Sequence, residues 1–434
     1  MTPPRARHAS QLPHFAHAAP PSRRLVLCLD GTSNNAFMQR KRRKEGSTIV
    51  RPTNVLKLAR AVRPWASDGH EQITYYDAGV GSMGRYAGSS NTALALSDRI
   101  FGGLGAGFEQ NVEEAVHFLV LNYRAGDEIY VFGFSRGAAT AQAVVQFLDW
   151  CGGLPRKPDA YYLPALFREF VSRLGTSSGM DAVAAINAHR AASDRPPLQA
   201  FHPIAVRFLG VWDTVLALGS RFRAGKKTST PGWSFYVQSR PPPCVQHARQ
   251  ALSIDERRFD FRPEIWLDRY PHQSLEQRWF PGAHSNIGGG YVNDGLANIA
   301  LWWMIREAGR HGLDLDPEYT KHYRTYPFGE MHDSYKWYFW IFDAVRWKLG
   351  RGMRSLLANP ETSNQTLDVN VIHRMHWEPS RENKQQMTKT YRPDNVIRFL
   401  AKQPDLNECL RRMGVPPEKR RLPDDVMHQL KANK

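Results

Sequence analysis

Hydrophobic positions in this chain fall into short unbroken runs separated by longer stretches of helical spacing. Arg24-Leu-Val-Leu-Cys-Leu29 is apolar at every position after its arginine, as suits a strand covered on both faces rather than one. Ile73–Tyr76, Glu128–Phe134 and Ile204–Trp212 repeat the pattern, and Arg278-Trp-Phe280 is a shorter instance. Between these runs, Asn54–Val62, Glu109–Tyr123, residues 136–150 and Leu296–Gly309 read as helices. In the second of them Val112, Ala115, Val116, Leu119, Val120 and Tyr123 recur at steps of three and four, which gathers them on one face. Short buried strands alternating with helices predict an α/β fold: a mainly parallel sheet with helices on both sides.

The remaining segments have other textures. Residues 1–24 are rich in Pro, Arg and His and read as a flexible basic arm. Arg40–Lys44 is a basic run expected in a solvated loop, and Val80–Gly107 is glycine-rich and expected to be irregular. Residues 155–203, bounded by prolines and rich in alanine, read as a helical insertion over the site. The organisation expected is a catalytic domain over 25–309 followed by a mostly helical, aromatic and basic C-terminal lobe over 310–434. Within that lobe Trp337–Leu349 spaces Trp337, Trp340, Ile341, Ala344, Val345 and Lys348 as on one helix face, with Arg346 adding charge. Such a segment suits a membrane interface, and it suits a buried helix packed on the catalytic domain equally well.

With 434 residues, 42% of them hydrophobic, the chain has enough material for one large core with an appended lobe. Its formal charge of +17 and pI near 9.8 favour anionic partners such as lipid headgroups or acidic proteins. There is no RNA-binding signature, zinc-finger spacing or helix-turn-helix pattern, so nucleic acid is not an expected partner. The four cysteines, Cys28, Cys151, Cys244 and Cys409, are scattered and form no C-x-x-C pair, which points away from zinc or a disulfide framework. The first 24 residues lack the apolar core of a secretory signal, and no run approaches the roughly eighteen apolar residues of a membrane span. The protein is therefore expected in the cytoplasm when made.

The chemistry concentrates at Glu128–Thr140. A buried strand runs into Gly133-Phe-Ser-Arg-Gly137 and then into a helix, the context that gives weight to a G-x-S-x-G pattern. The turn must be so tight that the residues two before and two after the serine, Gly133 and Gly137, carry no side chain. Ser135 is the candidate nucleophile. A serine needs a base and the base an orienting carboxylate. His284 follows a short strand inside a glycine-rich loop and is the candidate base. Asp213 ends the strand Val206–Trp212, on the edge of a parallel sheet where ligands bind, and is the candidate acid, although an aspartate there also serves as a helix N-cap. The amides of Gly31, Thr32 and Arg136 are candidates for an oxyanion hole. Such a triad asks for no metal or other cofactor, and none is expected. Asp30 ends the first strand as the nucleophile of a phosphoaspartate hydrolase would, but Thr32 stands where that motif wants a second Asp. Asp77 and Asp294 fit loop caps better than a metal site, and Asp255–Arg258 reads as a salt-bridged knot.

Six blocks carry a resemblance to a known family: Leu29–Asn35, Tyr75–Gly81, Gly133–Ala138, Gly210–Val215, Ala251–Arg258 and Trp279–Tyr291, with a weaker echo at Tyr391–Asn395. In this order, over about residues 24–300, they resemble the α/β-hydrolases that include the first group of bacterial type VI secretion lipase effectors. The resemblance implies a Ser135–Asp213–His284 triad and phospholipase A-type ester hydrolysis at a phospholipid membrane. It also implies export by type VI secretion, an immunity protein, and a partner in the secretion spike. The chain departs from the family at Ser33, where Gly is usual, and at Asn286, where Asp is usual.

Overall fold

The computed structural model describes residues 22–31, 39–41, 48–79, 106–172, 178–215, 238–258, 261–332, 354–356, 360–378 and 389–433. Its centre is a seven-stranded sheet. The strands are β1 (Arg24–Leu29), β4 (Gln72–Asp77), β5 (Glu128–Phe134), β6 (Val206–Trp212), β7 (Val245–Ser253), β8 (Ser274–Phe280) and β9 (Gln365–Leu367). They lie in the order β4-β1-β5-β6-β7-β8-β9 and every neighbouring pair is parallel. Two further short strands, β2 (Gln39–Lys41) and β3 (Thr48–Val50), pair antiparallel outside this sheet. Part of the basic run at 40–44 is therefore in a strand rather than a loop.

The unbroken apolar runs have the expected cause. Leu25, Leu27, Leu29, Ile129 and Val131 face one layer, built by α2 (Ala106–Asn122) and α3 (Arg136–Trp150). Val26, Cys28, Tyr130, Phe132 and Phe134 face the other, built by α1 (Asn54–Ala61) and α7 (Gly295–Arg310). With both faces covered, no position of β1 is left for a polar residue facing water.

The chain steps from β1 to β4 on one side, returns to β5 on the other, and continues outward to β9. This reversal at β1 and β5 opens a crevice beyond their carboxyl ends, where α/β sheets bind ligands. The segment between β5 and β6 is helical as expected, with α4 (Leu163–Ser172) and α5 (Gly179–Ala192). Its helix α4 packs on the helical layer beside the sheet rather than over that crevice. Phe167 and Phe170 of α4 pack against Phe147, tilted and edge-on, about three turns along α3 from the elbow, so α4 forms an outer layer on α2 and α3.

The part beyond α7 is more integrated than its composition suggests. It supplies edge strand β9, and helices α8 (Val369–Met375), α9 (Asp394–Ala401), α10 (Leu406–Arg412) and α11 (Asp424–Ala432) follow. Val371, Ile372, Val396, Ile397, Leu400, Leu410 and Val426 share a third apolar cluster with Leu252, Ile254 and Trp279 at β7 and β8. Among the described residues no helix is long and apolar enough to cross a membrane. Trp337, Trp340, Arg346 and Lys348 lie outside the described residues, as do Thr32, Ser33 and nearly all of the N-terminal arm.

Candidate active site

The elbow is built by sterics. Ser135 has φ 59° and ψ −122°, a conformation costly for any residue with a Cβ and held only where its surroundings fix it. Its amide donates to the carbonyl of Trp212 at 3.0 Å, which ties the turn to the end of β6. A Cβ on Gly133 would stand 2.3 Å from the carbonyl oxygen of Gly137, and one on Gly137 would stand 2.2 Å from that of Leu29. The turn thus folds back on itself and against the end of β1, and only glycine fits at both places. The hydroxyl of Ser135 is left partly exposed above the sheet.

Asp213 is the first residue past β6, with φ 43°. Its amide donates to Ala251 at 2.7 Å, and the carboxylate, fully buried, turns back toward the sheet edge. There Oδ1 accepts from the Ser253 amide at 2.9 Å. Among the described residues Asp213 caps no helix: Thr214 and Val215, which follow it, are not helical.

His284 opens the short helix α6 (His284–Gly288) after β8. Its loop is pinned from β7: the Ser253 hydroxyl donates to the Gly282 carbonyl at 2.7 Å and the Gly282 amide to Asp255 Oδ2 at 2.6 Å. Phe134 and Phe261 flank the ring, with centroids 4.7 and 5.0 Å away. Nδ1 lies 2.6 Å from Asp213 Oδ2 and Nε2 lies 2.8 Å from Ser135 Oγ. Three residues far apart in sequence thus form one hydrogen-bonded chain at the carboxyl ends of β5, β6 and β8. The geometry sets the tautomer: Nδ1–H donates to the carboxylate, and Nε2 is left to accept the serine proton.

Electrostatics agree with this arrangement. Burial pushes the Asp213 carboxyl up, but Arg354 and His284 outweigh it and hold the group at about 2. Burial lowers the proton affinity of His284, and the Asp213 contact opposes it without cancelling it, so the imidazole is neutral near pH 7. Behind the ring, Glu256 binds Arg258 through two contacts of 2.9 Å and receives the His284 amide at 3.3 Å. Asp255 accepts from Tyr391 Oη at 2.9 Å. The Asp255–Arg258 block is the salt-bridged knot its sequence suggests, packed against the histidine loop.

The other candidates fare differently. The Gly31 amide donates to the Asp30 side chain at 2.7 Å. It is already engaged, which counts against it as an oxyanion donor in this conformation. Asp30 also accepts from Thr53 Oγ1 at 2.6 Å and Tyr76 Oη at 2.8 Å, so it anchors the loop after β1. The Arg136 amide sits in the first turn of α3, where helix amides have no intrahelical acceptor, beside Ser135. Asp294 accepts from the buried Lys57 Nζ at 2.6 Å. Among the described residues no group of three His, Cys, Asp or Glu side chains is placed to hold a metal ion. Asn286 accepts the Ala283 amide through Oδ1 at 3.2 Å, while its buried Nδ2 has no partner among the described residues. An aspartate would make the same contact and leave no orphaned donor.

Sequence reasoning missed Arg354. Its Nη1 lies 2.6 Å from Asp213 Oδ1 and its Nη2 3.0 Å from Oδ2, and it is as buried as the residues it serves. No pattern around position 354 announces this, because the contact spans 141 residues.

Fold and site together describe an α/β protein with a Ser–His–Asp array at the carboxyl edge of a parallel sheet. The chain belongs to the family described as "T6SS, Phospholipase effector Tle1-like, catalytic domain", whose model matches residues 23–307. It is 25% identical over 251 residues to an uncharacterised protein of Saccharomyces cerevisiae, covering 55% of this chain and 32% of that one. Among solved structures, an uncharacterised Pseudomonas aeruginosa protein aligns over 95% of this chain and 62% of its own, at 16% identity and a TM-score of 0.41. A Tle1 effector bound to the VgrG spike of a type 6 secretion system aligns over 67% of this chain and 56% of its own, at 21% identity and a TM-score of 0.33. The chain spans less than two thirds of the length of each of these relatives.

Proposed function

We propose that the protein is a serine carboxyl-ester hydrolase of the α/β-hydrolase type, acting on glycerophospholipid in the manner of a phospholipase A. The observation that carries this reading is His284 bridging Ser135 and Asp213 at 2.8 and 2.6 Å. Ser135 Oγ attacks the acyl carbonyl as His284 Nε2 takes its proton. The tetrahedral oxyanion is received by amides of the elbow, that of Arg136 among them. His284 returns the proton to the departing lysolipid alkoxide, then draws a proton from water to release the acyl-enzyme. Asp213 fixes the tautomer and stabilises the imidazolium throughout. Lipid as substrate is supported by membership of a phospholipase effector family and by a basic chain that favours anionic surfaces. Delivery by type VI secretion, with a spike component and an immunity protein as partners, belongs to the same reading and rests on the family alone.

The test is release of fatty acid from mixed anionic phospholipid vesicles by wild type and Ser135→Ala side by side. Release by wild type alone is the expected result. Equal release by both proteins would remove the serine mechanism. Turnover of monomeric esters with none from vesicles would redirect the reading to a soluble substrate.

A further inference from the structure

Resting on that reading of the triad, we infer that Arg354 is a positioning residue for the reaction: its guanidinium grips both oxygens of Asp213, so that sequence beyond the family's catalytic domain completes the site. The family model ends at residue 307, and Arg354 comes from the segment that follows. Its two terminal nitrogens contact one carboxylate oxygen each, at 2.6 and 3.0 Å, in the forked geometry that an arginine makes and a lysine cannot. The same nitrogens donate to the carbonyls of Ser253, at 2.8 Å, and Phe261. Ser253 is the residue whose amide binds Asp213, and Phe261 carries a ring that packs on His284. One guanidinium therefore joins the acid, the strand end that supports it and the wall of the base.

Arg354 is itself held. Its carbonyl accepts from Asn395 Nδ2 at 3.2 Å, and the same amide nitrogen reaches the Ile254 carbonyl at 3.2 Å. Asn395 is the last residue of the Tyr391–Asn395 echo, and Tyr391 of that echo binds Asp255. The C-terminal part thus touches the site at two places, Arg354 at Asp213 and Tyr391 at Asp255.

The arrangement has a kinetic signature. The groups facing His284 are Asp213 at Nδ1, Ser135 at Nε2, Glu256 at its amide with Arg258 neutralising that carboxylate, and the uncharged rings of Phe134 and Phe261. Arg354 competes with the imidazolium for Asp213. Removing its charge leaves His284 as the one cation paired with the carboxylate, beside the neutral Ser253 amide, and the imidazole then holds its proton more tightly. Activity is lost as pH falls through the His284 pKa, so the acid limb of kcat/KM must move to higher pH.

The experiment compares wild type, Arg354→Gln and Arg354→Lys on a soluble ester across pH, with reactive serine counted by fluorophosphonate titration. For R354Q we expect kcat per titrated site to fall about ten- to a hundredfold with little change in KM, and the acid limb to rise by about one pH unit. R354K should keep the wild-type limb but not the wild-type kcat, because a single ammonium replaces the charge and not the fork. R354Q with unchanged kcat per site and an unchanged limb overturns the inference, since a purely structural role lowers only the number of active sites. Should R354Q fail to fold, R354K decides: wild-type kcat per site overturns, and a reduced kcat on the wild-type limb supports. A wild type that turns over no ester would sink the hydrolase reading and this inference with it, an outcome distinct from active wild type with indifferent variants.

Discussion

Asp213 is the residue on which stability and the proposed chemistry meet. Its carboxylate is buried between a guanidinium and an imidazole, so replacing it with Asn keeps the shape and removes the charge. Two effects should follow. The imidazole loses the partner that fixes its tautomer, and kcat should drop by about four orders of magnitude. Arg354 is left as a buried charge without its paired carboxylate, which should destabilise the fold by about 3–5 kcal/mol. The sign of the pH dependence is set by the depressed pKa of Asp213. A carboxylate held near 2, below its usual 3.8, contributes stability that is full above the unfolded value and lost as pH falls toward the folded one. Urea unfolding of wild type and Asp213→Asn should therefore show a gap at neutral pH that narrows between about pH 5 and about pH 2. A gap independent of pH would mean that the ion pair is not what separates the two proteins. The candidates Ser135, Asp213 and His284 stand out in sequence because each follows a strand-like run with local turn chemistry. Arg354 does not, since an ion pair across 141 residues leaves no local trace.

At the scale of elements, legibility followed how each element pays its burial cost. Strands β1 and β5 bury apolar side chains and stand out as apolar runs. Strand β7 was missed because it buries polar ones. Gln250 accepts from Thr214 Oγ1 at 2.7 Å and donates to the Glu264 carbonyl at 2.8 Å and to Gln277 Oε1 at 3.1 Å. Gln277, on β8, donates to the carbonyls of Trp266 and Ser363. Arg249 on the same strand binds Glu307 at 2.7 Å. A central strand reading Val-Gln-His-Ala-Arg-Gln-Ala-Leu-Ser is possible only because such a network satisfies it. Replacing Gln250 by Leu should leave several buried partners without their hydrogen bonds and cost about 2–4 kcal/mol in urea unfolding; an isoenergetic Q250L would show the network to be dispensable. The elbow gives the sharper prediction. Gly137→Ala forces a methyl to within 2.2 Å of the Leu29 carbonyl, contact with rigid backbone rather than a flexible side chain. It should cost at least about 3 kcal/mol and abolish fluorophosphonate labelling in whatever fraction folds. Ready labelling of a stable G137A would contradict the packing described at this turn.

At the scale of the whole molecule, the +17 formal charge is plain in the sequence, and in the proposed function its part is in encounter rather than in bond breaking. The reacting groups sit in a shell of paired charges: Arg354 with Asp213, and Arg258 with Glu256. On the proposed reading the excess cations would act over distance on an anionic surface, and distance is what salt removes. Between about 0.01 and about 1 M salt the Debye length falls from about 30 Å to about 3 Å. Hydrolysis of anionic vesicles should thus decline steeply over that range through weaker surface binding, while turnover of a neutral, monomeric ester at saturation should hardly change, because the short buried contacts of the triad are little screened. Neutral vesicles should also show little salt dependence. Parallel decline on all three substrates would mean that salt acts on the site or on the fold, and the charge would then need another explanation than recruitment to a membrane.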